Sequence, residues 1–432
     1  MPTGTENAPV PEEAVSRVAD RLFRREAGKL VAILTGIFGV RRLQLAEDVV
    51  QEAIARALQT WPYYGIPENP EGWLMQTAKH LAVDVIRREN RFRHKQPEII
   101  TYLEQRLPDS ETAPSPMLDG EIRDDRLRLM FACCHPGLPV EMQTALALKV
   151  LGGFSPREIA RAFLTGEAAV AKRLSRARRR LGAQKIRFEL PAGPELSHRL
   201  EGVLHTLYLL FNEGYKASGG ERIVREELCA EAIRLAGLLA DHPEVGRPRV
   251  HALLSLMLLN GSRLPARTDA DGNLLRLAEQ DRSLWDRTMI QRGIFHLAHS
   301  AGGDSLCDYH LQAGISACHC LAADDASTDW EKILSLYDHL IELNDSPLVA
   351  LNRTVALAKV HGPERGIAEL ERVLDHSPLD SYYLTHAVLG DLEQQRNHVD
   401  AAIAHFHDAL HLTEVQSERA FLARRLRECR AG

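Results

Sequence analysis

The chain has 432 residues, of which 45% are hydrophobic, so it can bury more than one core. Its formal net charge of −6 neither indicates nor excludes a nucleic-acid partner, because the charge of a whole chain averages over its parts. The opening residues MPTGTENAPVPEE lack a basic, apolar leader, no long apolar run follows, and the seven cysteines have no regular spacing. These features disfavour export, membrane insertion and a disulfide framework. We therefore expect a soluble, cytoplasmic protein with reduced thiols and two to four compact units.

Apolar residues recur every three or four positions along most of the chain, whereas the alternation typical of β-strands is nearly missing. This pattern predicts an all-α fold. In chain order it predicts a helical block at 12–95, a proline-containing flexible linker at 96–119, a second helical block at 120–187 and a helical region at 197–432.

The first block contains two predicted helices of different character. The helix that begins near Leu45 should bury one face, made of Val50, Ile54, Leu58 and Trp61, and expose another, made of Glu47, Asp48, Gln51 and Glu52. The next helix begins at Asn69-Pro70-Glu71, an N-cap followed by a proline at the first helical position. It ends in DVIRRENRFRHK (84–95), whose basic residues around an aromatic residue suit single-stranded or distorted DNA.

The second block carries a helix-turn-helix pattern. Ser155-Pro156-Arg157-Glu158 combines an N-cap, a proline start and a capping-box glutamate. A turn at Leu164-Thr165-Gly166 leads into a second helix, whose apolar stripe is predicted at Val170, Leu174, Ala177 and Leu181. Its other face carries Lys172, Arg173, Arg176, Arg179 and Arg180, with Glu167 in opposition. Such a face suits phosphates and guanine edges in a major groove.

One internal repeat signal lies near the C-terminus. Small and large packing positions of a tetratricopeptide hairpin are predicted at Leu389, Gly390, Ala402, Phe406 and Ala409. Such hairpins cannot bury their faces alone, so we expect the region from 197 onward to form a partly degenerate helical array.

The order of these motifs resembles the sigma-70 family, specifically its extracytoplasmic-function (ECF) class, which retains sigma domains two and four. AEDVVQEAIARAL (46–58) is similar to the segment that docks on the clamp helices of the largest RNA polymerase subunit, which implies contacts from Asp48, Gln51 and Glu52. PEGWLMQTAKHLAVDVIRREN (70–90) is similar to the segment that melts and captures the −10 element, which implies DNA contacts from Lys79, His80, Asp84, Arg87, Arg88 and Arg91. SPREIARAFLTGEAAVAKRLSRARRRL (155–181) resembles the −35 reader, which implies Glu167, Lys172, Arg173, Arg176 and Arg179.

The region from 197 to 432 resembles the tetratricopeptide-like extension of one ECF subgroup, through segments such as LYLLFNEGYKAS (207–218). This resemblance implies that the extension gates activity or receives a signal, through a signal ligand or a partner protein that binds it. The net negative balance after residue 190 permits the hypothesis that the extension folds onto the basic DNA-binding faces.

Other site types are weighed and set aside. Cys133-Cys134-His135 and Cys318-His319-Cys320 lack a second pair at zinc-finger spacing, and the Asp269 loop lacks the closing glutamate of a calcium site, so we predict no metal and no cofactor. Glu279, Asp281 and Asp286, with Arg282 and Arg287, are expected to form helical ion pairs or an interdomain contact rather than a catalytic group. We therefore predict a non-enzymatic transcription initiation factor. The alternatives are a one-component helix-turn-helix regulator whose tail senses a ligand, and a fused enzyme.

Overall fold

The computed structural model describes residues 12–88, 124–163, 165–184, 186, 188, 194–216, 224–270, 272–303, 305–375 and 378–431. Within these ranges the prediction of an all-α fold is confirmed, since the single β pairing is one antiparallel bridge between Thr268 and Leu274. No helix in the described residues is long and apolar enough to cross a membrane. The chain divides into two compact units between Leu210 and Phe211. The predicted linker at 96–119 lies outside the described residues.

The first unit begins with three helices, α1 (Glu12–Phe38), α2 (Leu43–Tyr64) and α3 (Pro70–Arg88). Trp61 of α2 is 2% exposed and packs edge-on against Trp73 of α3, with ring centroids 5.4 Å apart. This contact packs the end of α2 against the start of α3. Val50 and Trp61 of the predicted apolar face of α2 are buried, which confirms the prediction for these two residues. The prediction is wrong for Leu58, which is 43% exposed.

Four shorter helices follow in the same unit: α4 (Asp125–Cys133), α5 (Val140–Gly152), α6 (Pro156–Ala162) and α7 (Glu167–Ala183). Both α4 and α5 pack against α1, so the two sequence blocks form one body in this arrangement. The approach is close, because a Cβ built on Gly28 of α1 would lie 2.2 Å from the Leu151 carbonyl oxygen of α5. Only glycine fits there without a shift of backbone.

The helix α8 (Pro194–Tyr215) contributes residues to both units. In the first unit, Arg199 donates from Nη1 to the Phe131 carbonyl at 3.1 Å. Gly202 lies so close to α5 that an added Cβ would be 2.3 Å from Gln143 Oε1. Residues of the predicted tail as far as Leu210 therefore belong to the packing of the first unit.

The position of α8 gives a prediction for truncated chains. A chain ending after Lys216 is expected to keep the first unit folded, whereas one ending after Leu196 should be destabilised by several kcal/mol. The shorter chain loses Leu200, Val203 and Leu204, all at most 6% exposed, and each buried aliphatic side chain contributes roughly 1.5–3 kcal/mol. Urea unfolding followed by circular dichroism compares the two, and equal midpoints would show that α8 contributes nothing to the first unit.

The second unit is an array in which each helix packs on the next. The array comprises α9 (Glu226–Ala240), α10 (Pro248–Gly261), α11 (Arg287–Ser300), α12 (Asp308–Leu321), α13 (Trp330–Leu343), α14 (Pro347–His361), α15 (Pro363–Leu374), α16 (Tyr383–Gln395), α17 (Val399–Leu412) and α18 (Gln416–Ala431). All five predicted tetratricopeptide positions are buried. A Cβ on Gly390 of α16 would lie 2.8 Å from the Phe406 ring of α17, which explains the small residue.

All seven cysteines are free. Cys133 and Cys134 in α4 and its C-cap are fully buried, and burial raises the pKa of both thiols, that of Cys134 to about 12. Glu47 and Arg178 also act on the pKa of Cys133, in opposite directions.

Candidate nucleic-acid interface

The helix-turn-helix of the first unit is built as its sequence predicts. Ser155 caps α6 in a reciprocal capping box, since the Glu158 N–H donates to Ser155 Oγ at 3.2 Å and the Ser155 N–H donates to Glu158 Oε2 at 2.8 Å. Gly166 is the N-cap of α7. The apolar stripe of α7 is buried at every predicted position: Val170, Leu174, Ala177 and Leu181. This stripe fixes which face of α7 is presented outward.

The exposed face of α7 is cationic. Lys172, Arg176 and Arg179 are all exposed at spacings of four and three residues, so they lie on one side of the helix. Arg173 is half-buried, with its guanidinium 5.5 Å from the centre of the Phe163 ring. Glu167 is exposed in the first turn. Of the five residues implied for −35 contact, Lys172, Arg176 and Arg179 are thus the most accessible cations.

Arg178 of the same helix points elsewhere. Its guanidinium forms a bidentate pair with Glu47 of α2, from Nε to Oε2 at 3.1 Å and from Nη2 to Oε1 at 2.9 Å. Glu47 is only 5% exposed. The prediction that Glu47 belongs to the exposed face of α2 is therefore wrong, because α7 covers the start of that helix.

The exposed acidic face of α2 consists of Asp48, Gln51 and Glu52, the three residues that the resemblance implies for polymerase docking. Two hydrogen bonds along the helix order it: Gln44 Nε2 donates to Asp48 Oδ1 at 2.8 Å, and Arg56 Nε donates to Glu52 Oε1 at 3.1 Å. Both carboxylates remain open to solvent, which leaves them available to a cationic partner.

On α3, the exposed residues His80, Asp84 and Arg87 follow one another at four- and three-residue spacing and share a face. Lys79 is half-buried beside them. Arg88 ends the helix, but its side chain and all of Arg91 lie outside the described residues. The structure thus describes the side chains of four of the six residues implied for −10 contact, three of which are exposed on one face.

Two exposed aromatic residues at the end of α2 were missed by the sequence interpretation. Tyr63 and Tyr64 at the end of α2 are 77% and 81% exposed. Tyr64 lines a cleft of about 480 Å³ together with Trp61, Gly65, Ile66 and Trp73. Gly65, at φ 84°, ends the helix there. The pattern WPYYG, two aromatics between a proline and a glycine, was the available signal.

In the second unit, the acidic groups set aside as structural each have a structural partner. Glu279 pairs with Arg276 at 2.8 Å and with Arg424 at 3.0 Å, and these contacts lower its pKa against the effect of burial. Asp281 and Asp286 accept hydrogen bonds from the backbone N–H groups of Ser283 and Met289. Asp281 therefore caps the 3-10 turn Arg282–Leu284, and Asp286 caps the start of α11.

Comparison with known proteins assigns family models to three parts of the chain. Residues 22–92 match sigma-70 region 2, residues 128–181 match sigma-70 region 4, and residues 199–301 match a family of unknown function, DUF6596. We use the names region 2 and region 4 below for these two matched segments.

Three individual relatives are also similar to the chain. An uncharacterised protein of Rhizobium meliloti is 40% identical over 89% of this chain and 90% of its own length. The ECF RNA polymerase sigma factor SigE of Mycolicibacterium smegmatis is 29% identical over 42% of this chain and 66% of its own length. The ECF RNA polymerase sigma factor SigX of Bacillus subtilis is 22% identical over 29% of this chain and 62% of its own length.

Proposed function

The chain belongs to the sigma-70 family as an ECF sigma factor with a C-terminal helical extension, and from this premise we propose how its surfaces act in transcription initiation. Sigma factors of this family are non-enzymatic, and their partners are core RNA polymerase and promoter DNA. The observation that carries the proposal is the separation of charge in the first unit: an exposed acidic face on α2 and an exposed cationic face on α7.

Region 4 is proposed to read the −35 element through α7. Lys172, Arg176 and Arg179 face outward along two turns of a helix whose buried stripe fixes its orientation. Arginine pairs bidentately with guanine O6 and N7 in the major groove, and both arginine and lysine neutralise phosphates. Glu167, exposed in the first turn, is proposed to accept a hydrogen bond from a cytosine amino group.

Region 2 is proposed to hold the −10 element as a single strand. His80, Asp84 and Arg87 supply polar groups on α3, while Tyr63 and Tyr64 expose aromatic rings. Unpaired bases stack on such rings, and each stacked base contributes roughly 1–3 kcal/mol to the binding free energy. The cleft of about 480 Å³ that Tyr64 lines has room for a base, and this space beside an exposed ring supports the assignment. Arg88 and Arg91 remain proposed contacts.

The contact between region 2 and region 4 is proposed to mark a closed form. The −10 and −35 elements are about 85 Å apart at about 3.4 Å per base pair. Two touching domains of this size have centres only about 30 Å apart. The Glu47–Arg178 pair and the Gly28–Leu151 contact must therefore separate before both elements are bound at once.

In vitro transcription tests the proposed function. Purified core polymerase is supplied with a library of upstream fragments, with and without the chain. Start sites that depend on the chain and follow two spaced elements are expected. Tight duplex binding without polymerase and no new transcripts would instead favour a one-component regulator.

The docking face on α2 gives a second prediction. Asp48→Lys and Glu52→Lys together should weaken binding to core polymerase by roughly tenfold or more, because steering by complementary charge is reversed. Fluorescence anisotropy of labelled chain titrated with core measures it. Glu141→Lys, an exposed charge reversal on α5, is the matched control. Unchanged affinity in the double variant would remove this face from the docking site.

We propose that the extension regulates the first unit. The net negative charge after residue 190 supports inhibition, in which the extension covers the basic DNA-binding faces. The chain ending after Lys216 tests this, since it retains α8. Higher transcription than the full chain would support inhibition, and lower transcription with an intact fold would show that the extension assists initiation.

A further inference from the structure

Helices α16 and α17 bring two imidazoles and one carboxylate together in the second unit. His386 comes from α16, and His405 and Asp408 come from α17. One ligand atom of each residue lies within 4.8 Å of the others. His405 and Asp408 are three residues apart, so they project from the same side of α17.

The hydrogen bond of His386 fixes which of its nitrogens is free. Its Nε2 lies 2.9 Å from the Asp380 carbonyl oxygen. A carbonyl only accepts, so Nε2 carries the proton and donates it. In the neutral ring Nδ1 then has a lone pair, and it points toward Asp408, with Oδ2 3.9 Å away. Histidines that ligate metals show this arrangement, with one nitrogen held by a carbonyl and the other free.

The Nδ1 atoms of His386 and His405 are both buried and have no hydrogen-bond partner in the described residues. Burial, and then the neighbouring His386, lowers the pKa of His405, against opposing effects from Asp408 and Glu393. This direction favours the neutral ring, which is the form that binds a metal. A buried ring nitrogen without a partner is costly. Both of these nitrogens belong to rings whose ligand atoms lie close to the Asp408 carboxylate.

We propose that His386, His405 and Asp408 bind a divalent transition-metal ion of the Zn²⁺ class. Two imidazoles and a carboxylate are preferred ligands of such ions, at about 2.0–2.2 Å, which places ligand atoms about 3.4 Å apart. The 3.9 Å separation of His386 and Asp408 needs only a small movement of the Asp408 side chain, which is 59% exposed. The bound ion joins α16 to α17, and solvent completes its coordination.

Isothermal titration of the full chain with ZnCl₂, after treatment with a chelator, tests the site. Asp408→Asn is the principal variant because its exposed side chain is not part of the core, and His405→Gln is the second. Loss of a residue that only hydrogen-bonds to a metal ligand already lowers metal affinity roughly 10- to 100-fold. Each variant, which loses a ligand itself, should therefore lower the affinity for one equivalent of Zn²⁺ by about 100-fold or more.

Two further variants separate this site from the other histidines. His411→Gln removes an exposed histidine of the same helix, and His296→Gln breaks the histidine pair whose Nδ1 atoms are 2.9 Å apart in α10 and α11. Both should bind like the unaltered chain. The proposal is overturned if the unaltered chain binds no Zn²⁺, if Asp408→Asn and His405→Gln retain full affinity, or if only His296→Gln loses the ion.

Discussion

Arg178→Ala is expected to open the contact between region 2 and region 4. The substitution leaves the Glu47 carboxylate, 5% exposed, without its bidentate partner. Removing one member of a buried pair costs roughly 3–5 kcal/mol, and the lower end applies because the Arg178 side chain is 25% exposed. About 3 kcal/mol corresponds to roughly a 100-fold larger open population, since each 1.4 kcal/mol is a factor of ten.

Hydrogen exchange of the backbone amides in α1 and α5 measures this opening, because those helices form the contact. Glu47→Met combined with Arg178→Met should exchange more slowly than Arg178→Ala, since no unpaired charge remains buried. Gly28→Ala should open the same contact without a charge change, and Gly237→Ala, where an added Cβ meets nothing within 4 Å, is its control. Protection equal to that of the unaltered chain in both Arg178→Ala and Gly28→Ala would refute the closed form.

The cationic face of α7 gives the second large effect. Lys172→Ala, Arg176→Ala and Arg179→Ala together should abolish transcription from promoters that depend on their −35 element. If each side chain neutralises one phosphate, the negative slope of log affinity against log salt should become shallower by about 2.7. Where an arginine also binds a base edge, its removal should weaken promoter binding by roughly a further 1–3 kcal/mol.

Promoter binding by the holoenzyme at several salt concentrations measures the slope. The matched control is Lys332→Ala, Arg365→Ala and Arg372→Ala, which removes three exposed cations from the second unit. An unchanged slope in the α7 variant would mean that this face does not contact DNA. Arg173→Ala should have a smaller effect on the slope, because that side chain is half-buried against Phe163.

Local patterns predicted local structure well. The capping box at Ser155, the stripe from Val170 to Leu181 and the Gly390–Phe406 contact each depend on residues close in sequence or in one hairpin. Glu47 and Leu58 were misassigned for the opposite reason. Their exposure is decided by what covers α2, and the partner of Glu47 is 131 residues away.

The same limit applies to candidate sites. His405 and Asp408 share a short helical spacing, but His386 belongs to another helix, so no motif joins the three. PAGPEL (191–196) marks a break in the helical pattern, so no sequence signal indicated that the helix after it packs in the first unit. The division between the two units lies later, inside α8.

The burial of Cys133 makes its reactivity a measure of how often the first unit opens. Its thiol is fully buried, its pKa is raised by burial, and it lies close enough to feel the charges of both Glu47 and Arg178. A thiol reagent therefore reacts with Cys133 only when the surrounding helices separate, since the thiolate is the reactive form and needs solvent access. The alkylation rate of this one sulfur then reports how often the first unit opens, without any introduced label.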